Sequence, residues 1–229
     1  MRKVAIIISL VMTFSCLLYS QELTVEYNIG YGKFCMRDLR HYIEDAAPEF
    51  SSRQYNSNIL KNFPGNMTHQ AKIGVELSPI HQLGISLDFM NTEGSKTMID
   101  AYYDINYRTK GTRIGVFYRI TPSIWSEGII RPYFMLTAGT VINNDHVKIS
   151  GEMQDDVDMK LNGAIAFAEP ALGCKIRLHE MFALNINAGY HLDLDKIYQN
   201  GNSDNFASPT WGGLRFQGGL IFYIPLAKK

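Results

Sequence analysis

Cysteine is scarce in this 229-residue chain, with three residues, Cys16, Cys35 and Cys174. A secreted scaffold stapled by disulfides is thereby excluded. Net charge is absent too: 22 basic residues stand against 22 acidic. No basic tract interleaves with aromatics, so nothing points to nucleic acid. Beyond the first twenty residues no apolar run has the length of a transmembrane helix. Metal-ligand spacing is absent among His41, His69, His81, His146 and His179. Asp155-Asp156-x-Asp158 could offer oxygen ligands to a cation such as Ca²⁺, but it lacks the spacing and glycine of a calcium loop and reads as a solvated acidic loop. No metal and no cofactor are expected.

What is present begins with a short apolar run, Val4 to Phe14, behind Arg2 and Lys3. This is the layout of a cleaved secretory signal, and the run is too short to span a bilayer as a helix. Cleavage after Ser20 makes residues 1–20 a signal peptide and 21–229 one domain. Lipoprotein processing at Cys16 is the rival reading, although Thr13-Phe14-Ser15 fits it poorly. Removing Arg2 and Lys3 leaves 20 basic residues against 22 acidic.

The mature chain alternates. From Phe182 to Asp195 the even positions are apolar (Phe182, Leu184, Ile186, Ala188, Tyr190, Leu192, Leu194) and the odd ones small or polar. Successive side chains of a strand point to opposite faces, so this period of two makes one apolar and one wet face. The pattern recurs at 23–31, 68–78, 83–89, 113–120, 164–178 and 214–224. Pro132 to Ile142 is apolar on both sides and forms a strand of undetermined facing. The count is eight; Met98 to Tyr107 taken as a separate strand makes nine, and ten if His146 to Met159 hides another strand. Met98 to Tyr107 also alternates and is expected to be the descending arm of a hairpin reaching beyond the membrane.

Connections after the second, fourth and sixth strands (Ser78 to His81, Thr121 to Arg131, His179 to Met181) are short or moderate. Those after the odd-numbered strands are long and polar: Lys33 to Asn66, Asn91 to Thr112, Asn143 to Asn162 and Lys196 to Gly212. This parity predicts an all-β fold, an eight-stranded antiparallel transmembrane β-barrel with long extracellular loops and short periplasmic turns. Charge placement agrees, because Glu26, Lys72, Glu76, Asp88, Arg113, Arg119, Glu169, Lys175, Arg177, Asp193 and Arg215 all lie opposite the apolar faces. A cation facing lipid at mid-depth costs roughly 2–4 kcal/mol. These residues are expected to form a lumen charge network with Glu26 between Lys72 and Arg215, plugging the barrel. Tyr31, Phe89, Tyr118 and Tyr190 near strand ends fit a membrane girdle.

Within the first long connection Met36, Leu39, Ile43 and Ala46/Ala47 recur at helical spacing and predict a short amphipathic helix over the barrel mouth. Cys35, beyond the outer end of the first strand, and Cys174, on the sixth, belong to strands that are not neighbours, so both are expected to be free.

Gly30-Tyr-Gly-Lys-Phe-Cys-Met-Arg-Asp-Leu39 before a helix, Gly94-Ser-Lys96 after the third strand and Glu169-Pro-Ala-Leu-Gly173 in the sixth resemble the small outer-membrane β-barrel proteins of Bacteroidetes, the OmpX/OmpA-like and PorT-like group. The resemblance covers essentially the whole mature chain and rests on the order of short motifs. It implies an integral outer-membrane barrel, with some relatives accessory to secretion or gliding. No catalytic motif comes with it.

Three functions follow. The first is a structural or surface-interaction protein, not an enzyme, monomeric in outer-membrane lipid and lipopolysaccharide. Adhesion or accessory secretion would run through its outer loops, with a surface or envelope protein as candidate partner. The second is a lipid A-modifying enzyme. Here His191, with Asp193 on the same face and Ser203 in the next loop, would be base, orienter and nucleophile. The third is a soluble lipocalin-like barrel, which requires the apolar alternation to face inward.

Overall fold

A computed structural model describes residues 22–37, 39–41, 57–98, 103–151, 154–200 and 209–226, some side chains near the strand tips excepted. The expected signal segment, residues 1–20, lies outside them, as do Ser203 and the expected later helix positions Ile43, Ala46 and Ala47.

Among the described residues nine strands run in chain order: β1 Glu22–Gly32, β2 Ser57–Asn62, β3 Asn66–Glu76, β4 His81–Met98, β5 Tyr103–Ile120, β6 Ile130–Gly151, β7 Gln154–His179, β8 Phe182–Asn200 and β9 Gly213–Pro225. Every pairing is antiparallel. The order β4-β3-β1-β9-β8-β7-β6-β5 closes on itself through β4–β5. The result is an eight-stranded barrel, whose even strand number lets the first and last strands meet antiparallel. The ninth strand, β2, stands outside the ring and pairs only with the far end of β4. Among the described residues no helix is long and apolar enough to cross a membrane.

Two of the expected long loops are walls. β4 and β5 pair from His81↔Ile120 to Met98↔Tyr103, and β6 and β7 pair from Ile130↔Ile176 to Gly151↔Gln154. Asn91 to Thr112 and Asn143 to Asn162 therefore belong mostly to extended hairpins. The tenth-strand option dissolves, because His146 to Met159 prolongs β6 and β7.

The facing of these strands inverts along their length. On β5 the outward Ile114, Val116 and Tyr118 are exposed and apolar, and Arg113 and Arg119 are buried within. Higher on the same strand Ile105 and Tyr107 are buried, while Asn106, Arg108 and Lys110 are exposed. β6 repeats this: Phe134, Leu136 and Ile142 face out, then Asn144 and Lys148 do, with Val141 and Val147 inside. The pleat has not slipped; the chemistry of its two sides has exchanged. Pro132 to Ile142 thus acquires a facing, with Tyr133, Met135 and Thr137 inward.

An exposed apolar belt encircles the barrel below the inversion, drawing on every ring strand, for example Tyr27, Ile73, Ile85, Ile114, Leu136, Leu172, Ile186 and Phe222. Tyr31, Phe89, Tyr118 and Tyr190 are exposed within it. Inside, Phe117 occupies space left by glycines: a Cβ on Gly74 or Gly84 would stand 2.8 or 2.7 Å from its ring.

Candidate functional site

The interior at belt height holds two ionic clusters. Toward the short-turn end, the Glu26 carboxylate accepts from Arg119 Nη2 at 2.9 Å, Lys72 Nζ at 3.3 Å, Asn28 Nδ2 at 2.7 Å and Asn185 Nδ2 at 2.8 Å. Lys175 Nζ donates to Glu76 Oε1 at 2.8 Å and to Gln82 Oε1 at 2.9 Å. Arg119 also lies over the Tyr133 ring, 4.3 Å from its centroid. Three cations thus meet two carboxylates. Lys72 is Glu26's cross-strand partner in register, but Arg215 is not its other neighbour: Glu26 faces Ile221 on β9. Arg119 reaches it from β5 instead.

Arg215 pairs with Gly32, nearer the long-loop end, and joins the second cluster. Its Nη1 is 3.1 Å from Glu169 Oε2 and 3.5 Å from Asp88 Oδ2. Arg113 Nε stands 2.8 Å from Asp88 Oδ2, and its Nη1 pairs with Glu169. With Asp193 at its upper margin this cluster sets three carboxylates against two arginines. The surplus of one cluster offsets the deficit of the other, which limits the cost of burying so many charges. Arg177 sits apart at the short-turn rim, partly exposed, 3.1 Å from Glu22 and over the Tyr223 ring.

His191 belongs to the second cluster. Arginine can only donate, so Arg113 Nη1, 3.1 Å away, places the acceptor lone pair of His191 at Nδ1. Nε2 then carries the proton and donates to Asp193 Oδ1 at 3.0 Å. The ring is fully buried and stacks on Phe167, centroids 4.9 Å apart. Asp193 Oδ2 in turn accepts the Gly212 amide at 2.8 Å. Both ring nitrogens are engaged, and neither is left for a hydroxyl nucleophile. Among the described residues no group of His, Cys, Asp and Glu is arranged to hold a metal. Asp158 instead binds His146 at 2.5 Å, and this contact holds its carboxyl below the usual range.

Above the charges lies an apolar plug, in which the sequence pattern anticipated Met36 and Leu39 but not Phe34, Phe63 or Trp211. Residues 33–36 follow β9 rather than leaving the barrel: the amides of Lys33, Cys35 and Met36 donate to the carbonyls of Leu214, Gly212 and Thr210 at 2.9, 2.6 and 2.9 Å. Gly213 permits the approach, with φ of 147° and the Lys33 carbonyl 1.9 Å from where a Cβ would be. One helical turn follows, Arg40 N–H donating to Met36 O at 2.9 Å. It carries Phe34, Met36 and Leu39 into the barrel against Phe63, Tyr107, Phe167 and Trp211, all buried. Phe34 meets Trp211 edge-on at 4.9 Å, and Trp211 Nε1 donates to Asn143 Oδ1 at 2.6 Å. The apolar phase of 101–107, opposite to that of 114–120, was the signal in the sequence. Cys35 is exposed and Cys174 faces outward, and neither is bonded to the other.

No protein-family model matches the chain, and no curated protein matches it. Solved structures do. OprG, an outer membrane protein of Pseudomonas aeruginosa, is 11% identical, covering 90% of this chain and 97% of its own, with a TM-score of 0.48. Neisserial surface protein A is 9% identical over 87% and 96%, TM-score 0.42. Ail, the attachment invasion locus protein of Yersinia pestis, is 12% identical over 90% and 98%, TM-score 0.37. The likeness is one of fold alone.

Proposed function

We propose that this chain is an integral outer-membrane β-barrel protein that conducts nothing and acts, as a structural or surface-interaction protein, through its outer end. The inversion of facing on β5 and β6 carries this reading. Apolar residues face out only over a belt, and above it the apolar residues turn inward and charges turn outward. A strand surrounded by water along its whole length has no reason to invert. A strand that leaves a bilayer does, because lipid favours apolar contacts outside and water then favours the reverse.

The clusters of Glu26 and Asp88 below and the Phe34–Trp211 plug above support a sealed lumen. In this reading the protein is exported with its first twenty residues removed, is monomeric, and meets lipopolysaccharide and envelope or surface partners in adhesion or accessory secretion. It would belong with the small Bacteroidetes barrels that its motifs resemble. The surroundings of His191 support packing rather than catalysis. The outward Val25, Tyr27 and Ile73 oppose the inward apolar face that a lipocalin-like barrel needs.

Heat-modifiable migration tests the reading. The chain is expected in the outer-membrane fraction, running faster unheated than boiled, with no steady conductance in planar bilayers. Recovery in the soluble fraction, or a stable open channel, refutes it.

A further inference from the structure

One side of the barrel becomes basic as soon as the belt ends. In register, Lys110 stands one outward row beyond Thr112 and Ile142, about 7 Å along the strand. In the next row Arg108 and Lys160 flank His146, and Lys148 stands one row further. All four cations are exposed, and among the described residues Glu93 and Asp158 stand in their rows, with Asp104 one row beyond Lys148. Glu93 is divided between Arg108, at 3.3 Å, and Lys61. Asp158 is divided between His146, at 2.5 Å, and Lys148, at 3.9 Å. Lys110, the cation nearest the belt, has no ion pair among the described residues. On the far side the outward residues at the outer ends of β1, β3 and β9 are Tyr31, Met67 and Leu214, and the exposed Lys33 and Arg37 follow β1. In these rows the described outward side chains of β5, β6 and β7 carry four cations, Arg108, Lys110, Lys148 and Lys160, against two carboxylates, Asp104 and Asp158.

We propose that this face binds the phosphate groups of an anionic glycolipid of the outer leaflet. Its acyl chains lie on the belt at Ile114, Val116 and Ile142, and its headgroup phosphates meet Lys110, Arg108 and Lys160. The patch continues the belt without a gap, so one molecule can satisfy both chemistries. Each surface cation near an anionic headgroup strengthens binding several-fold. This inference rests on the outer-membrane reading above.

The test reconstitutes the full mature chain in phosphatidylcholine nanodiscs containing either bisphosphorylated lipid A or the same lipid A dephosphorylated. Retained glycolipid is counted by native mass spectrometry. The wild type is expected to prefer the phosphorylated lipid by at least about tenfold. The triple variant Arg108→Gln/Lys110→Gln/Lys160→Gln, altered only at exposed side chains, should hold both lipids equally, and the charge-keeping Lys110→Arg should behave as wild type. Equal retention by the wild type, or an undiminished preference in the triple variant, overturns the proposal. Displacement of the lipid by millimolar inorganic phosphate overturns it as well, because the site would then read a free anion. Failure of the wild type to insert into any nanodisc, seen as no heat-modifiable shift, removes the membrane reading and this inference with it. Insertion with equal retention removes the phosphate site alone.

Discussion

Arg119 crosses the lumen to Glu26, its Nη2 2.9 Å from Oε2, joining residues 93 positions apart in the chain. Both side chains are fully buried, and Glu26 also holds Lys72. Glu26→Gln leaves two buried cations without their carboxylate. The expected loss is roughly 3–5 kcal/mol, read as a lower midpoint for urea unfolding in detergent micelles. Arg119→Met measured alone and together with Glu26→Gln should give strongly non-additive losses. Additive losses would show that the pair is not coupled.

Trp211 seals the outer end from the loop before β9. Trp211→Ala removes its packing on Phe34 and its bond to Asn143, with an expected cost of roughly 3–5 kcal/mol. The strap should loosen with it. Hydrogen exchange at the Lys33, Cys35 and Met36 amides, bonded to 210–214, should speed up far more than exchange in β1. Unchanged protection of those amides would separate the strap from the plug.

Asp145 lies inside the barrel wall above the belt, and burial pushes its carboxyl up to about 6, the nearby Thr109 and Tyr107 hydroxyls opposing the shift. A carboxyl raised above its unfolded value stabilises most when protonated. Its contribution is therefore complete at pH below about 3.8 and is lost as pH rises through about 6. Unfolding midpoints of the wild type and Asp145→Asn, compared from pH 4 to 8, should diverge across that window, the variant being flatter. Parallel curves would refute the assignment.

His191 sits between Arg113 and Asp193 with both ring nitrogens engaged. His191→Ala should cost about 1–3 kcal/mol through the groups it leaves unpaired. Lipid A mass spectra from cells with wild type, with His191→Ala and without the protein should be identical. A mass change that depends on His191 would revive the enzyme.

Much of the barrel is legible in the sequence because its forces are local. A period of two with charges confined to one phase declares a strand between lipid and a polar interior, and Glu26, Lys72, Asp88 and Arg113 can be read as inward from their neighbours alone. The inversion was legible too, as the shift of the apolar phase from Tyr107 to Ile114, but it has meaning only once both segments are seen to be one strand.

The sequence by itself determined the alternating strands and their apolar and wet faces, Pro132 to Ile142 excepted, because alternation is local; it left the ring at eight or ten and read β2 as loop. Only the tertiary structure decided which charges meet. Arg215 belongs to Asp88 and Glu169, and Arg119 to Glu26, because the stagger of a closed barrel sets heights across the lumen that no pair of adjacent strands reveals. It also decided that Phe34, Phe63 and Trp211, from three separate connections, converge into a plug. Their contacts cross long stretches of chain, and no local period records them.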